Sequence, residues 1–542
     1  MFQCPNCGSS LRFDIPSQML TCDHCHSFHD PYSVSKDHDA EEQDMYDVTV
    51  FTCPQCGGQL MSTENSAAEF CSFCGAPTIL SGRLSKEKRP GYIITFKKTK
   101  EDCKNAYAKY VRHAIFAPTE LKDPQYLERF RGIYMPYWAY YITQNGELNM
   151  EGQKEYRKGD YIYKDIYHLG GRMDSYYKGL SYDASSSFSD SISESIAPFD
   201  VKGMKSFTPS FLSGFYADTA DVESSVYESK AIHTANQHSY NTVADHPAFH
   251  KLQINTPSNE QSLSSAFNTK LMSTDSAMYP VWFLSYRNND RVSYATVNGQ
   301  TGKIAADLPV DIKKYLGGSL ILALPIFLLL NLLFTIRPDK TLLFSSMLAL
   351  ISAALYVFEL YQIKKKDSGE DDLGLMSKLK ETDPDKLNKL KNRQNKYKEK
   401  KKLHIGFSFG AIGTIIQTIF YLVVIGAAFF SFSAEIISNK TIVNFILLAG
   451  TVVVSVKGLF ISRTAGIKNN YWGLLCPILA IVISAIINVL HPVSDLFYYA
   501  GTILSYIATF LTLYSIIKKY NILASRKLPQ FEKRGGEEYE NH

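Results

Sequence analysis

The sequence predicts a multidomain membrane protein: two tandem Cys4 zinc ribbons, a β-rich α+β cytoplasmic domain and a C-terminal all-α six-helix transmembrane bundle. Three observations carry that expectation. Eight of the ten cysteines fall into two copies of one pattern. A tyrosine-rich region over 87–312 is long enough to bury a core of its own. From residue 316 onward, six apolar stretches reach the ~20 residues that a bilayer-crossing helix requires. The expected units are ribbon 1 over 1–35, ribbon 2 over 50–82 and the β-rich domain over 87–312. A transmembrane hairpin over 316–361, a basic cytoplasmic loop over 364–402, four more transmembrane helices over 409–517 and a cytoplasmic tail over 518–542 complete the chain.

The quartets are Cys4, Cys7, Cys22 and Cys25, then Cys53, Cys56, Cys71 and Cys74, each cysteine of the first recurring 49 residues later in the second. A Cys-x-x-Cys turn presents two thiolates to one side of a tetrahedral ion, and the 14 residues between pairs suffice for a hairpin that returns the second pair. Two structural Zn2+ ions are therefore expected. Gly8, Gly57 and Gly75 directly follow a second cysteine, where the turn favours a positive φ, and His26 stands at the same place after Cys25. Four thiolates fill a tetrahedral site, so His24, His26 and His29 are expected to face solvent or to stand behind the sulfurs. A ribbon of this size has almost no core, and metal binding then supplies folding free energy on the order of 10 kcal/mol. Disulfides are the structural alternative and conflict with a reducing compartment.

In the central region a strand is expected over 92–96 and a helix from Thr99, where Thr99 and Asp102 have capping-box spacing. Cys103 in that helix reads as a packed residue. Two aromatic segments, 133–142 and 278–286, alternate like strands and share Pro-x-Trp, at Pro136/Trp138 and Pro280/Trp282. Each meets a turn signal, Asn145 with Gly146 and then Asn288 with Asn289 and Asp290, so each opens a hairpin. A last hairpin turns through 298–302 (NGQTG); the serine-rich 184–195 reads as a mobile loop and 219–236 as a helix.

No catalytic constellation emerges. His113, His168, His233, His238, His246 and His250 are scattered, and neither a nucleophile elbow nor a phosphate-cradling glycine loop occurs. Pro247 breaks the helix that would align His246 with His250. The chain reads as non-enzymatic.

The six spans are read as 316–336, 341–361, 409–432, 441–461, 471–490 and 496–517. The first two turn through Arg337, Pro338, Asp339 and Lys340. The loop 364–402 holds 14 Lys/Arg against 8 Asp/Glu, which assigns it to the cytoplasm together with both termini and the ribbons. The location is then the bacterial inner membrane, where cytoplasmic thiols stay reduced. The polar candidates singled out within the spans are Asn331, Gln417, Lys457 and Asn488. Lys457 is expected to snorkel and the amides to join helices, so the bundle reads as an anchor or assembly surface.

Nucleic acid is disfavoured as a partner. Residues 1–86 carry 4 Lys/Arg and 11 Asp/Glu, a sign that repels phosphate. The basic run 83–112, with 10 Lys/Arg and 3 acids, suits the acidic ribbons or anionic headgroups.

The motifs CPNCG with LRFD, CPQCG and CSFCG, then 92–96 (YIITF), 130–138 (FRGIYMPYW), 211–218 (FLSGFYAD), 279–282 (YPVW) and 298–302, resemble bacterial membrane-anchored double zinc-ribbon proteins. These are labelled TFIIB-type zinc-ribbon or primosomal-helicase-like. The likeness covers 1–312, and the helicase label does not carry over because the chain has no Walker A motif. It implies the eight cysteine ligands, and a setting in phage-shock-like loci beside PspA-type and flotillin-like SPFH proteins. The expected function is an anchor or recruitment platform for such envelope-stress partners. A transporter or lipid-handling protein, and a membrane-tethered nucleic-acid binder, are the alternatives.

Overall fold

A computed structural model of the chain describes residues 2–35, 45–62, 71–76, 81–247, 249, 252–254, 260–288, 291–333, 337–367, 372–374, 376–377, 440–465 and 471–527. The first ribbon is a small antiparallel sheet of β1 (Leu11–Asp14), β2 (Met19–Cys22) and β3 (Phe28–His29), followed by one turn of helix, α1 (Pro31–Ser35). Leu11, Phe13 and Cys22 point inward from it, and Phe13 meets Phe211 edge-on at 5.5 Å. The second ribbon comprises β4 (Met45–Thr52), β5 (Gln59–Ser62) and β6 (Ser81–Lys88). Unlike the first, and unlike the separate unit expected over 50–82, it merges into the main sheet, which has 13 strands among the described residues.

That sheet continues with β7 (Tyr92–Ile94), after which α2 (Lys100–Arg112) starts on the expected capping box: Asp102 N donates to Thr99 Oγ1 at 3.2 Å and Thr99 N to Asp102 Oδ2 at 2.9 Å. Burial pushes the Cys103 thiol up to about 12, as befits a packed residue rather than a nucleophile. A short helix, α3 (Pro124–Leu127), leads to two long strands, β8 (Arg131–Lys158) and β9 (Tyr161–Asp183). Next come α4 (Asp190–Ile196), β10 (Met204–Ser206), β11 (Tyr216–Ala217), α5 (Glu228–Ala244), β12 (Gln253–Ile254) and α6 (Glu260–Ala266). Then β13 (Thr269–Asn288), β14 (Arg291–Asn298) and β15 (Ile304–Ala306) close the body.

The two Pro-x-Trp segments are direct neighbours: β8 and β13 pair antiparallel, with Pro136 opposite Met278 and Pro280 opposite Tyr134. Each indole N–H finds a backbone carbonyl, Trp138 on Val222 and Trp282 on Lys98. Each strand also opens its expected hairpin, β8 with β9 and β13 with β14. The NGQTG turn follows between β14 and β15, where Gly302 has φ +81° and a Cβ on Gly299 would lie 2.6 Å from the Phe96 ring.

Three local expectations are corrected. Asn145 and Gly146 do not turn; they lie within β8, opposite Asp174 and Met173. Extending the strand buries Met150 and Leu169 against Leu263 and Phe267, and Asn268 Nδ2 donates to the Asn145 carbonyl at 2.7 Å. The serine-rich segment is packed rather than loose. Ser185 and Ser187 donate to the buried Asp218, Ser186 to Asp221, and Phe188 and Ile192 join the core. Burial pushes the Asp218 carboxyl up to about 6 even though those hydroxyls pull it down. Because Asp218 and Asp221 are held this way, the expected 219–236 helix begins only at Glu228.

The C-terminal third forms α7 (Ile312–Leu333), α8 (Pro338–Asp367), α9 (Lys440–Ala465), α10 (Tyr471–Leu490) and α11 (Asp495–Leu523). Among the described residues four helices, α8 to α11, are long and apolar enough to cross a membrane. Four of the six expected spans are thus supported among the described residues. The expected span 409–432 lies outside the described residues, as does most of the loop 364–402. The expected span 316–336 is helical as α7, which contains Pro325, and its Leu320, Leu322 and Leu332 are exposed.

Small and polar residues line the contacts within the four-helix group. A Cβ on Gly473 would fall 2.3 Å from the Tyr356 ring, so α8 and α10 touch closely. Ser484 Oγ donates to Asn444 Oδ1 at 3.1 Å, Asn488 Nδ2 to the Ser484 carbonyl at 3.0 Å and Ser505 Oγ to the Ala480 carbonyl at 3.2 Å. The bonds between helices are those of Ser484 and Ser505, whereas the bond of Asn488 to Ser484 stays within α10; Lys457 is exposed on α9. Gln417 and the side chain of Asn331 lie outside the described residues.

The body is seated on this bundle. Beyond α11 the chain adds β16 (Arg526–Lys527) to the edge of β14. Arg291 Nη2 donates to the carbonyls of Ile522 at 2.7 Å and Ser525 at 2.9 Å, capping the end of α11. Asn521 exchanges two hydrogen bonds with the Val310 backbone, and Lys366 Nζ donates to the Leu523 carbonyl at 2.6 Å and lies 3.3 Å from Asp307 Oδ2.

Candidate metal centres

Each of the eight cysteines belongs to one of four turns built alike. In every turn the first cysteine's N–H donates to a carbonyl five residues on: Cys4 to Ser9, Cys22 to Ser27, Cys53 to Gly58 and Cys71 to Ala76, at 2.7–3.0 Å. The residue after the second cysteine donates back to the first cysteine's carbonyl, and it has positive φ: Gly8 at 74°, His26 at 56°, Gly57 at 72° and Gly75 at 68°. Thus His26 adopts the left-handed conformation that glycine supplies in the other three.

These turns face one another in pairs. Cys4 Sγ lies 3.6 Å from Cys25 Sγ and Cys7 Sγ 3.5 Å from Cys22 Sγ; in the second cluster Cys53–Cys74 is 3.8 Å and Cys56–Cys71 is 3.7 Å. Within each quartet all four sulfurs lie within 4.8 Å of one another. A tetrahedron of thiolates about 2.3 Å from a central Zn2+ has edges of roughly 3.8 Å, so the spacing fits such an ion. An all-thiolate donor set also suits other soft metals. Four protein ligands leave no open position to polarise a substrate or activate water.

Within each quartet the thiols compete for protons. The Ser27 hydroxyl holds the Cys4 thiol down at about 5. Cys7 is pushed up to about 12: the Ser9 backbone pulls it down, but its hydrogen bond with Cys22, with desolvation and the neighbouring Cys25 and Cys4 thiols, outweighs that. In the second cluster Cys53 falls, mainly through its hydrogen bond with Cys56, and Cys56 rises as the partner that keeps the proton.

The two centres differ in their surroundings. Cys7 and Cys25 are exposed, whereas Cys53, Cys56, Cys71 and Cys74 are all buried. Phe73 packs edge-on against Phe283 at 6.4 Å, Tyr294 Oη donates to the Phe73 carbonyl, and Arg287 Nη1 donates to Gln55 Oε1 at 2.7 Å. The second centre is therefore walled by β13 and β14. At the first, Ser27 Oγ lies 3.0 Å from Cys25 Sγ and 2.8 Å from His29 Nε2, which itself lies 3.4 Å from Cys4 Sγ. His29 stands behind the sulfurs, and His24 and His26 are exposed. Ser27 is absent from the sequence-based site; only its place two residues after Cys25 hinted at a role.

Fold and site together define a membrane protein carrying two Cys4 clusters able to hold metal. No family model matches the chain and no solved structure does. The chain is similar to the uncharacterized protein YdjG of Bacillus subtilis (strain 168), with 25% identity over 314 residues, which cover 57% of this chain and 90% of that protein.

Proposed function

We propose that the chain is a non-enzymatic platform in the bacterial inner membrane, with two structural Zn2+ ions held by the eight cysteines and a cytoplasmic body that recruits partner proteins. The observation that carries this reading is the pairing of closed Cys4 clusters with a body clamped to the bundle through Arg291 and β16. Such a site shapes a surface and performs no hydrolysis. The clamp end of the bundle carries Lys313, Lys314, Lys364, Lys365, Lys366 and Lys518, a sign that favours the cytoplasmic face for the body and both termini. The resemblance to double zinc-ribbon proteins points to SPFH- or PspA-type envelope-stress proteins as the partner class.

The test is affinity capture from detergent-solubilised membranes, with Cys7→Ser as the perturbation. Cys7 lies at the exposed centre, so the variant disturbs a surface and leaves the chain inserted. A membrane-associated protein captured by the wild type is expected to pass into the soluble fraction. An unchanged membrane proteome, combined with DNA retention at physiological salt or substrate-dependent flux in liposomes, would replace the platform with a nucleic-acid binder or a transporter.

A further inference from the structure

The hairpin of β8 and β9 runs on past its last strand partner, β12 at Gly152 and Gln153. Phe283 of β13 stands beside Arg131 and Thr269 beside Gln144, so β8 leads away from the end of the sheet at which Arg291 meets the bundle. From Arg131 to its tip at Lys158 it covers roughly 90 Å of strand at ~3.3 Å per residue, leading away from the end that meets the bundle.

Cross-strand neighbours share one face, and along the outer arm these are Met150/Leu169, Gly152/Tyr167, Lys154/Asp165, Tyr156/Tyr163 and Lys158/Tyr161. The chain covers the start of this face, burying Met150 and Leu169 beneath Leu263 and Phe267. The same face then continues uncovered: Tyr156, Tyr163 and Tyr167 are more than two-fifths exposed and Tyr161 is 72% exposed. Rigid, half-apolar tyrosines of this kind are typical of protein contacts.

We propose that this face is the contact between two copies of the chain, packed face to face with their arms parallel. Copies inserted the same way round in one membrane are related by a twofold axis along the membrane normal, and face-to-face pairing at equal height needs the arms to run along that axis. An axis along the arm sets β8 of one copy over β9 of the other at equal height. Each pair on the face then becomes an intermolecular pair: Tyr156 meets Tyr163, Lys158 lies over Tyr161 as a cation–π contact, Lys154 meets Asp165, and Gly152 leaves room for Tyr167. Residues 150–169 hold four Lys/Arg and four Asp/Glu, so no net charge favours an acidic or basic partner over a second copy. The face is small, roughly half of the ~800 Å² per partner of a standard interface, and confinement to one membrane raises the effective concentration that offsets this.

The test uses the full chain in native membranes with a short bismaleimide. Tyr163→Cys puts a thiol on the tyrosine face, and Lys164→Cys puts one on the opposite face of the same strand as a collision control; the wild type serves as the blank for native cysteines. The expected result is a band at twice the chain mass, about tenfold stronger for Tyr163→Cys than for Lys164→Cys. Equal crosslinking of the two variants, no dimer at either, or capture of a different protein at position 163 overturns self-pairing. This outcome is independent of the recruitment test, because the arm lies apart from the metal centres.

Discussion

Replacing Cys56 by serine is expected to unfold the sheet body, whereas Cys22→Ser melts only the first ribbon. The reason lies in where each centre sits. Cys53, Cys56, Cys71 and Cys74 belong to one core with Ile133, near the start of β8, and with Tyr279, Val281 and Phe283 in the second half of β13. Strand β5, between the two halves of the quartet, pairs with β11, which pairs in turn with β8. Losing a ligand there removes metal-linked folding free energy on the order of 10 kcal/mol, comparable with the whole stability of a domain, and leaves buried thiols without a cation. The first cluster closes a three-stranded sheet of its own and leans on the body through Phe13, Tyr32 and Phe211. Hydrogen exchange on the purified full chain separates the cases: Cys56→Ser is expected to lose protection throughout β8 and β13, and Cys22→Ser only over residues 2–35. Equal loss in both variants would mean that the two centres are one cooperative unit.

The second large effect concerns the clamp between body and bundle. Arg291→Ala removes donors to the Ile522 and Ser525 carbonyls and to Ser525 Oγ, which lies 2.8 Å from Nε. Hydrogen bonds from a charged donor contribute ~1.5–3 kcal/mol each, and the end of α11 loses its cap. β16 pairs through two residues only, so it is expected to detach, exposing 524–527 to protease at least about tenfold faster while the four-helix group stays intact. An unchanged cleavage rate would show that Asn521, Lys366 and Lys314 hold the body without Arg291.

Much of this was legible before the fold was known, and the reason differs by element. The Cys-x-x-Cys spacing dictates the ligand turns because chain geometry alone positions the sulfurs, and the glycine after three of the four second cysteines marks the positive φ. The capping box at Thr99 and the paired Pro-x-Trp strands are likewise local signals. What remained hidden depends on distant partners. Asn145 with Gly146 reads as a turn, yet burial of Met150 and Leu169 beneath α6 keeps the strand going. Serines at 185–187 read as loop because their acceptors, Asp218 and Asp221, lie more than 30 residues away. The merging of the second ribbon into the main sheet rests on the pairing of β5 with β11, a contact that spacing cannot encode. Apolar length identifies helices, but does not tell which of them assemble, as the exposed leucines of α7 illustrate.

The central claim is that two closed all-cysteine metal centres hold the ribbons and the sheet body together, and the most direct test is X-ray absorption with metal analysis on the full chain, purified in detergent under reducing conditions. A fragment ending near residue 86 will not serve, since β5 needs β11. The expected result is two zinc ions per chain with only sulfur in the first shell, at about 2.3 Å. One ion or none, or nitrogen in the first shell from a His29 that has displaced a cysteine, would contradict it.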